Sequence, residues 1–153
     1  MKTLPLAILA LLAVPAAAQA PACPKPAATP GFAGWGKPAG DALAVGREAT
    51  LALKPATSVR FAPRLARAPK QGTYGGYFAI DVPAAGTYRI AASDKVWIDA
   101  VHRGQRLHST AHEHGADCPG IAKIVAFRLD AGRNYLQISE ADRPAVRVMV
   151  VKG

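Results

Sequence analysis

From Arg47 almost to the C-terminus, apolar and polar residues alternate in short runs. Ala49, Leu51 and Leu53 alternate with Glu48, Thr50 and Ala52, and Val59 with Phe61 forms a shorter piece. Phe78, Ile80 and Val82 lead into Pro83-Ala84-Ala85-Gly86, a turn signal, and Tyr88, Ile90 and Ala92 carry the chain to a second turn at Ser93-Asp94. Trp97, Ile98 and Val101 mark the next strand and Leu107 its return. Val125, Phe127 and Leu129 precede a turn at Asp130-Ala131-Gly132, then Leu136 with Ile138, and Val146, Val148 and Val150, end the series. A period of two puts alternate side chains on one face, so these apolar positions are the candidate core. About eight or nine strands at roughly ten-residue spacing predict an all-β fold, a single antiparallel β-sandwich of jelly-roll or immunoglobulin-like type over residues 43–153.

Helix competes poorly, because Pro and Gly recur too often for long runs at a 3.6 period. The valine-rich C-terminal run is β-branched and short, which favours a strand. One seven-residue pattern occurs twice: Val82-Pro83-Ala84-Ala85-Gly86-Thr87-Tyr88 and Leu129-Asp130-Ala131-Gly132-Arg133-Asn134-Tyr135. In both, a strand ends on an aliphatic residue, turns through Ala-Gly and restarts with a tyrosine, as in sandwich folds where the tyrosine hydroxyl bonds back to the turn.

The first residues change the picture of compartment. Met1-Lys2-Thr3 precedes an apolar run to Ala18, and Ala18-Gln19-Ala20 has the small-x-small form of a signal-peptidase site, so residues 1–20 read as a signal peptide cleaved after Ala20. The run is shorter than the ~20 residues a transmembrane helix needs. Cys23 lies past the cleavage point, which argues against a lipoprotein anchor. Residues 21–42 carry Pro21, Pro24, Pro26, Pro30 and Pro38 among glycines and predict an extended N-terminal arm, with Phe32 and Trp35 docking on the body. The chain has two cysteines, which in an exported protein predict a Cys23–Cys118 disulfide. A closed loop of that size stabilises by about 4–5 kcal/mol before native strain is subtracted.

A formal charge of +9, one unit of it from Lys2, points to an anionic partner. For an exported protein that means glycans or lipid headgroups. Lys54, Arg60, Arg64, Arg67 and Lys70 fall in one stretch without an acidic residue, and two readings stand: a solvated, mobile loop, or a patch for an anionic ligand. Single-stranded nucleic acid would require aromatic residues interleaved with the charges; only Phe61 and Tyr74 flank them, so no nucleic acid partner is expected.

Every histidine, His102, His108, His112 and His114, falls in one short segment that Cys118 closes. With Arg103-Gly104 at the centre of a two-residue hairpin, His102 faces Gln105, Val101 faces Arg106, Ala100 faces Leu107 and Asp99 faces His108. Val96, Ile98, Ala100 and Leu107 then line one face, and Trp97, Asp99, Val101, His108 and Thr110 the other. Asp99 and His108 beside an indole would be a structural contact, or a carboxylate orienting a base or metal ligand. If residues 112–114 are extended, His112 and His114 point the same way and could share zinc, copper or iron, with His108 or a carboxylate completing the site. No G-x-S-x-G, G-x-x-x-x-G-K-[ST] or paired-carboxylate motif is present.

Trp97-Ile98-Asp99 followed by Ser109-Thr110-Ala111-His112-Glu113-His114-Gly115-Ala116-Asp117-Cys118-Pro119-Gly120-Ile121-Ala122-Lys123 resembles a group of short exported bacterial proteins that go under the name homogentisate 1,2-dioxygenase. The resemblance implies a metal-dependent oxidoreductase. Dioxygenases of that name hold iron with two histidines and a glutamate, one histidine well downstream of the glutamate; no histidine follows His114 here, and no ligand set carries over. The alternating half is also similar, more loosely, to jelly-roll accessory domains of secreted hydrolases. Together these observations predict an exported, periplasmic binding or accessory module with Trp97, Asp99, His108 and Thr110 on its working face and an anionic glycan or cell-envelope component as ligand. The alternative is the His-ligated enzyme.

Overall fold

The computed structural model describes residues 29–115 and 120–153. The residues read as a signal peptide, the first part of the arm, and Cys23 and Cys118 with the disulfide expected between them lie outside the described residues.

Ten strands form two five-stranded antiparallel sheets. In chain order they are β1 (Glu48–Ala52), β2 (Lys54–Pro55), β3 (Tyr74–Val82), β4 (Gly86–Ala92), β5 (Trp97–His102), β6 (Gln105–Arg106), β7 (Ser109–Glu113), β8 (Lys123–Leu129), β9 (Gly132–Ala141) and β10 (Ala145–Lys152), with a 3₁₀ turn at Ala56–Ser58. The first sheet runs β1-β10-β4-β8-β7 and the second β2-β3-β9-β5-β6. The pairings β1 with β10, β3 with β9, β4 with β8 and β5 with β6 are those of a chain folded back on itself once and then rolled. That is the jelly-roll member of the two sandwich types the alternation allows. Val59 and Phe61, expected as a strand, belong instead to the segment after the 3₁₀ turn.

Inward positions of both sheets meet in one core that contains Leu51, Ile80, Tyr88, Ile90, Val125, Phe127, Leu136, Ile138, Val148 and Val150. A second apolar cluster lies on the outer face of the first sheet. There Ala91, Ile124, Met149 and Val151 point away from the core and are covered by Phe32 and Trp35 from the arm. The near-continuous apolar run of β10 follows from this cover, because a strand buried on both faces needs no polar alternation. The aromatics dock as expected, but the described part of the arm, from Thr29 on, is not extended. Phe32 N–H bonds to Thr29 O and Trp35 N–H to Phe32 O, both at 2.9 Å, so it descends in tight turns. It joins the sheet through a bridge of Pro38 to Glu48, and the segment after it through a bridge of Val45 to Val150. Among the described residues no helix is long and apolar enough to cross a membrane.

The repeated turn is present with a shift in its second copy. Tyr88 Oη donates to Ala84 O at 2.7 Å. Two residues after Gly132, the place corresponding to Tyr88 is held by Asn134, whose Nδ2 donates to Asp130 O at 2.8 Å and Gly132 O at 3.1 Å. Tyr135 instead points outward and stacks on Tyr77, with ring centroids 4.8 Å apart.

Candidate functional site: the Trp97 cleft

Local turn chemistry sets the hairpin after β5. Arg103 and Gly104 both take positive φ, 47° and 75°, which makes a type I′ turn whose twist suits the flanking strands. Val101 pairs with Arg106 and His102 with Gln105, and Leu107 N–H bonds to Ala100 O at 2.8 Å, the register expected from the sequence. Ile98 and Ala100 enter the core, and His102, half-buried, meets Asn134 Oδ1 through Nδ1 at 3.1 Å.

The ladder ends there, and with it the expected pairing of Asp99 with His108. After Leu107 the chain crosses to the first sheet, where β7 pairs with β8 at the edge. His108 is exposed on that crossover. Asp99 lies opposite Gln137 of β9, and its carboxylate is 3.6 Å from Arg106 Nε. Thr110 sits exposed in a bulge of β7, so the face expected to unite Trp97, Asp99, His108 and Thr110 is divided between two sheets. His112 shares a hydrogen bond with Ser109 Oγ at 2.7 Å, and His114 is exposed beyond the strand end. The histidines do not assemble the metal centre considered from their spacing: among the described residues no three His, Cys, Asp or Glu side chains are placed to hold a metal ion.

The basic stretch is neither a free loop nor a flat patch. Residues 59–73 form a strap across the outer face of the second sheet. Phe61 lies against β3 at Gly75, where a Cβ would come within 2.6 Å of Ile138 O and 3.0 Å of the Phe61 ring, so the strap seats closely only over glycine. Gln137 Nε2 donates to Pro63 O at 2.6 Å, and Arg106 Nη2 donates to Arg64 O. An acidic residue outside the stretch offsets part of its charge: Glu140 of β9 pairs with Arg67 Nε at 3.0 Å and Lys70 Nζ at 3.7 Å. Lys54, Arg60 and Arg64 are exposed to solvent. Asp99, Gln137 and Ser139 are buried in the outer face of the sheet, and Asp99 Oδ2 and Gln137 Oε1 have no hydrogen-bond partner.

At the end of the strap is a cleft of about 290 Å³ lined by Leu65, Ala66, Arg67, Pro69, Trp97, Ser139 and Glu140. Trp97, the first residue of β5 and register partner of Ser139, is 39% exposed; no other large hydrophobic side chain among the described residues is. Two cations approach its ring. Arg67 Cζ is 4.7 Å and Lys123 Nζ 5.2 Å from the ring centroid, within cation–π range. Glu140 reaches the cleft because the β3–β9 ladder slips between Tyr74 and Gly76, and Glu140 takes φ 60°, left-handed for a residue with a Cβ. Such bulges re-aim side chains, and strained non-glycine residues collect at functional sites.

Lys123 comes from the other sheet. It opens β8, and its ammonium crosses the end of the sandwich to donate to Val96 O at 3.0 Å. Burial lowers its pKa below the ordinary lysine value, with Arg67 acting in the same sense and Glu140 and Asp99 opposing. Arg64, Arg67, Lys70, Arg106 and Lys123 thus outnumber Asp99 and Glu140 around the cleft and strap. The cleft itself is largely apolar around the paired Arg67 and Glu140, and the surplus of cations lies around it on the strap and at Lys123, an arrangement suited to a ligand with a flat apolar face and a negative group. The sequence pointed to Trp97, Asp99, Arg67 and Lys70 separately; Glu140 and Lys123 it did not single out as site residues, although Lys123 closes the quoted Gly120-Ile121-Ala122-Lys123 motif. Compared with known protein families, with curated proteins and with solved structures, the chain finds no match.

Proposed function

We propose that this protein is an exported, periplasmic binding or accessory module that takes an anionic glycan or related cell-envelope component at Trp97. The observation that carries this reading is the exposure of Trp97 in a cleft whose other walls are largely apolar, from Leu65, Ala66 and Pro69, with Arg67, Ser139 and Glu140 as the polar groups. An indole left open at a site otherwise well packed offers a platform for the apolar face of a sugar ring, and the cations beside it attract a negative substituent. The volume of about 290 Å³ lies just below the ~300–1,000 Å³ usual for ligand pockets, which suits one ring of a longer chain resting in an open notch.

Tryptophan fluorescence tests it directly. Of the two tryptophans, Trp35 belongs to the arm and is buried against the outer face of the first sheet, so a ligand at the cleft changes the emission of Trp97. Titration with acidic oligosaccharides prepared from envelope polysaccharide should give a saturable change that Trp97→Ala abolishes, while Trp35 emission stays constant. Absence of a signal and of calorimetric heat with every envelope fraction would refute the reading.

A further inference from the structure

The cations around the cleft are not equivalent. Arg67 and Lys70 already face the Glu140 carboxylate, at 3.0 and 3.7 Å, and Arg106 lies 3.6 Å from that of Asp99. Lys123 is different: its ammonium donates to a neutral carbonyl, Val96 O, and among the described residues no carboxylate lies within ion-pair distance of it. An ammonium has three donors, so two remain for a ligand. Its position is fixed by that bond and by the indole, 5.2 Å away at the ring centroid, and its partial burial weakens competition from water.

From this geometry we propose that Lys123 is the residue that selects a negative group on the ligand, and that the ligand is a carboxylate-bearing sugar whose ring lies on Trp97. This rests on the binding function proposed above and adds the chemical class and the selecting residue. A hexuronate carries its carboxylate on the carbon attached to the ring, so a ring seated on the indole brings its negative group within reach of a cation held about 5 Å from the ring centroid. Arg67, tied to Glu140 across the cleft, positions the strap wall and adds to the field, while its charge is already balanced locally. Glu140 in turn disfavours a carboxylate on its own side, which leaves the Lys123 side as the place for the negative group.

The test uses oligogalacturonate and its fully methyl-esterified counterpart, which keep the same rings and differ in the charge of one group per ring. Wild-type protein, read by Trp97 fluorescence, should bind the acid at least about tenfold more tightly than the ester, the factor one charge-assisted hydrogen bond supplies, and the preference should shrink at high salt. Lys123→Met keeps an apolar stem against the indole and should remove the preference while leaving ester affinity within about twofold; Lys123→Arg should restore it. If Lys123→Met does not fold, Lys123→Gln, a polar replacement able to keep the bond to Val96 O, is read in its place. A preference for the acid that survives both variants, or equal binding of acid and ester to the wild type, overturns the role of Lys123 and leaves the Trp97 binding function standing. Binding of neither probe to the wild type removes the carboxylated-sugar class, and if envelope fractions also fail, the binding function with it.

Discussion

Replacing Gln137 by glutamate exchanges one amide nitrogen for oxygen in a side chain that the strap covers completely. In the wild type, Nε2 donates to Pro63 O at 2.6 Å, and the residue lies directly across the ladder from Asp99. A carboxylate at this position turns a donor into an acceptor facing a carbonyl oxygen and sets a second negative charge beside a buried one. Neither is tolerated under cover, so folding requires the new glutamate to be protonated, which then restores a donor toward Pro63 O. The magnitude follows from linkage. A glutamate carboxyl ionises near 4.3 in the unfolded chain, pH 7 lies about 2.7 units above that, and each unit is worth about 1.36 kcal/mol, giving a loss of about 3.7 kcal/mol. The sign is fixed by the raised folded-state pKa: the penalty is absent below about pH 4.3, and it grows with pH until the folded-state pKa is passed. At pH 5 it should fall to about 1 kcal/mol. Gln137→Leu is the control, since it removes a hydrogen bond worth about 1 kcal/mol together with an unpaired buried oxygen, and it should stay within about 1–2 kcal/mol of wild type at both pH values. Urea unfolding of the three proteins at pH 7 and pH 5 measures these differences. A loss for Gln137→Glu that is the same at both pH values, or under 1 kcal/mol at pH 7, would refute the picture of a strap sealed over the outer face of the second sheet.

Further outcomes follow from the same packing. Trp97→Ala should lose about 1–2 kcal/mol, because its two cation–π contacts are each worth about 0.5–1 kcal/mol, and parallel thermal melts showing that the variant stays folded assign its loss of ligand binding to the cleft. Glu48 has a fully buried side chain that pairs with Arg147 Nη1 at 3.2 Å and accepts from Gly36 N–H; Glu48→Ala should lose about 2–3 kcal/mol, below the ~3–5 for fully buried pairs because Arg147 is partly exposed and regains water, and Trp35 emission should shift to the red as the arm loosens. Tyr88→Phe removes the hydroxyl bond to Ala84 O and should lower stability by about 1 kcal/mol, whereas Asn134→Ala, which deletes two bonds to the second turn and the contact to His102, should lose about twice that in the same denaturation assay.

Half of the candidate site could be read in the sequence. Trp97 and Asp99 stood out because the hairpin register fixes their face, and Arg67 and Lys70 because the basic stretch holds no acid. Glu140 was hidden because it sits at a ladder slip, where the period-two rule does not say which way a side chain turns. Lys123 was hidden because it starts a strand of the opposite sheet and reaches the indole only across the end of the sandwich.

The sequence by itself determined what depends on neighbours along the chain. Alternation placed the strands and chose the faces that enter the core, Arg103-Gly104 set the hairpin pairing as far as Leu107, and the Ala-Gly turns foretold the bond from Tyr88 to Ala84 O. Only the tertiary structure decided what depends on which strands lie side by side. The arithmetic that pairs Asp99 with His108 assumes the ladder continues, yet the chain leaves it to become the edge of the first sheet, where β7 can pair with β8. The strap is held down by Gln137, Arg106 and Glu140, residues far along the chain from the loop they fix. A local pattern records how a segment divides its faces between core and solvent. The partner it meets is chosen when both sheets bury their apolar faces at once, and that choice moved the candidate chemistry from the histidines to Trp97, Glu140 and Lys123.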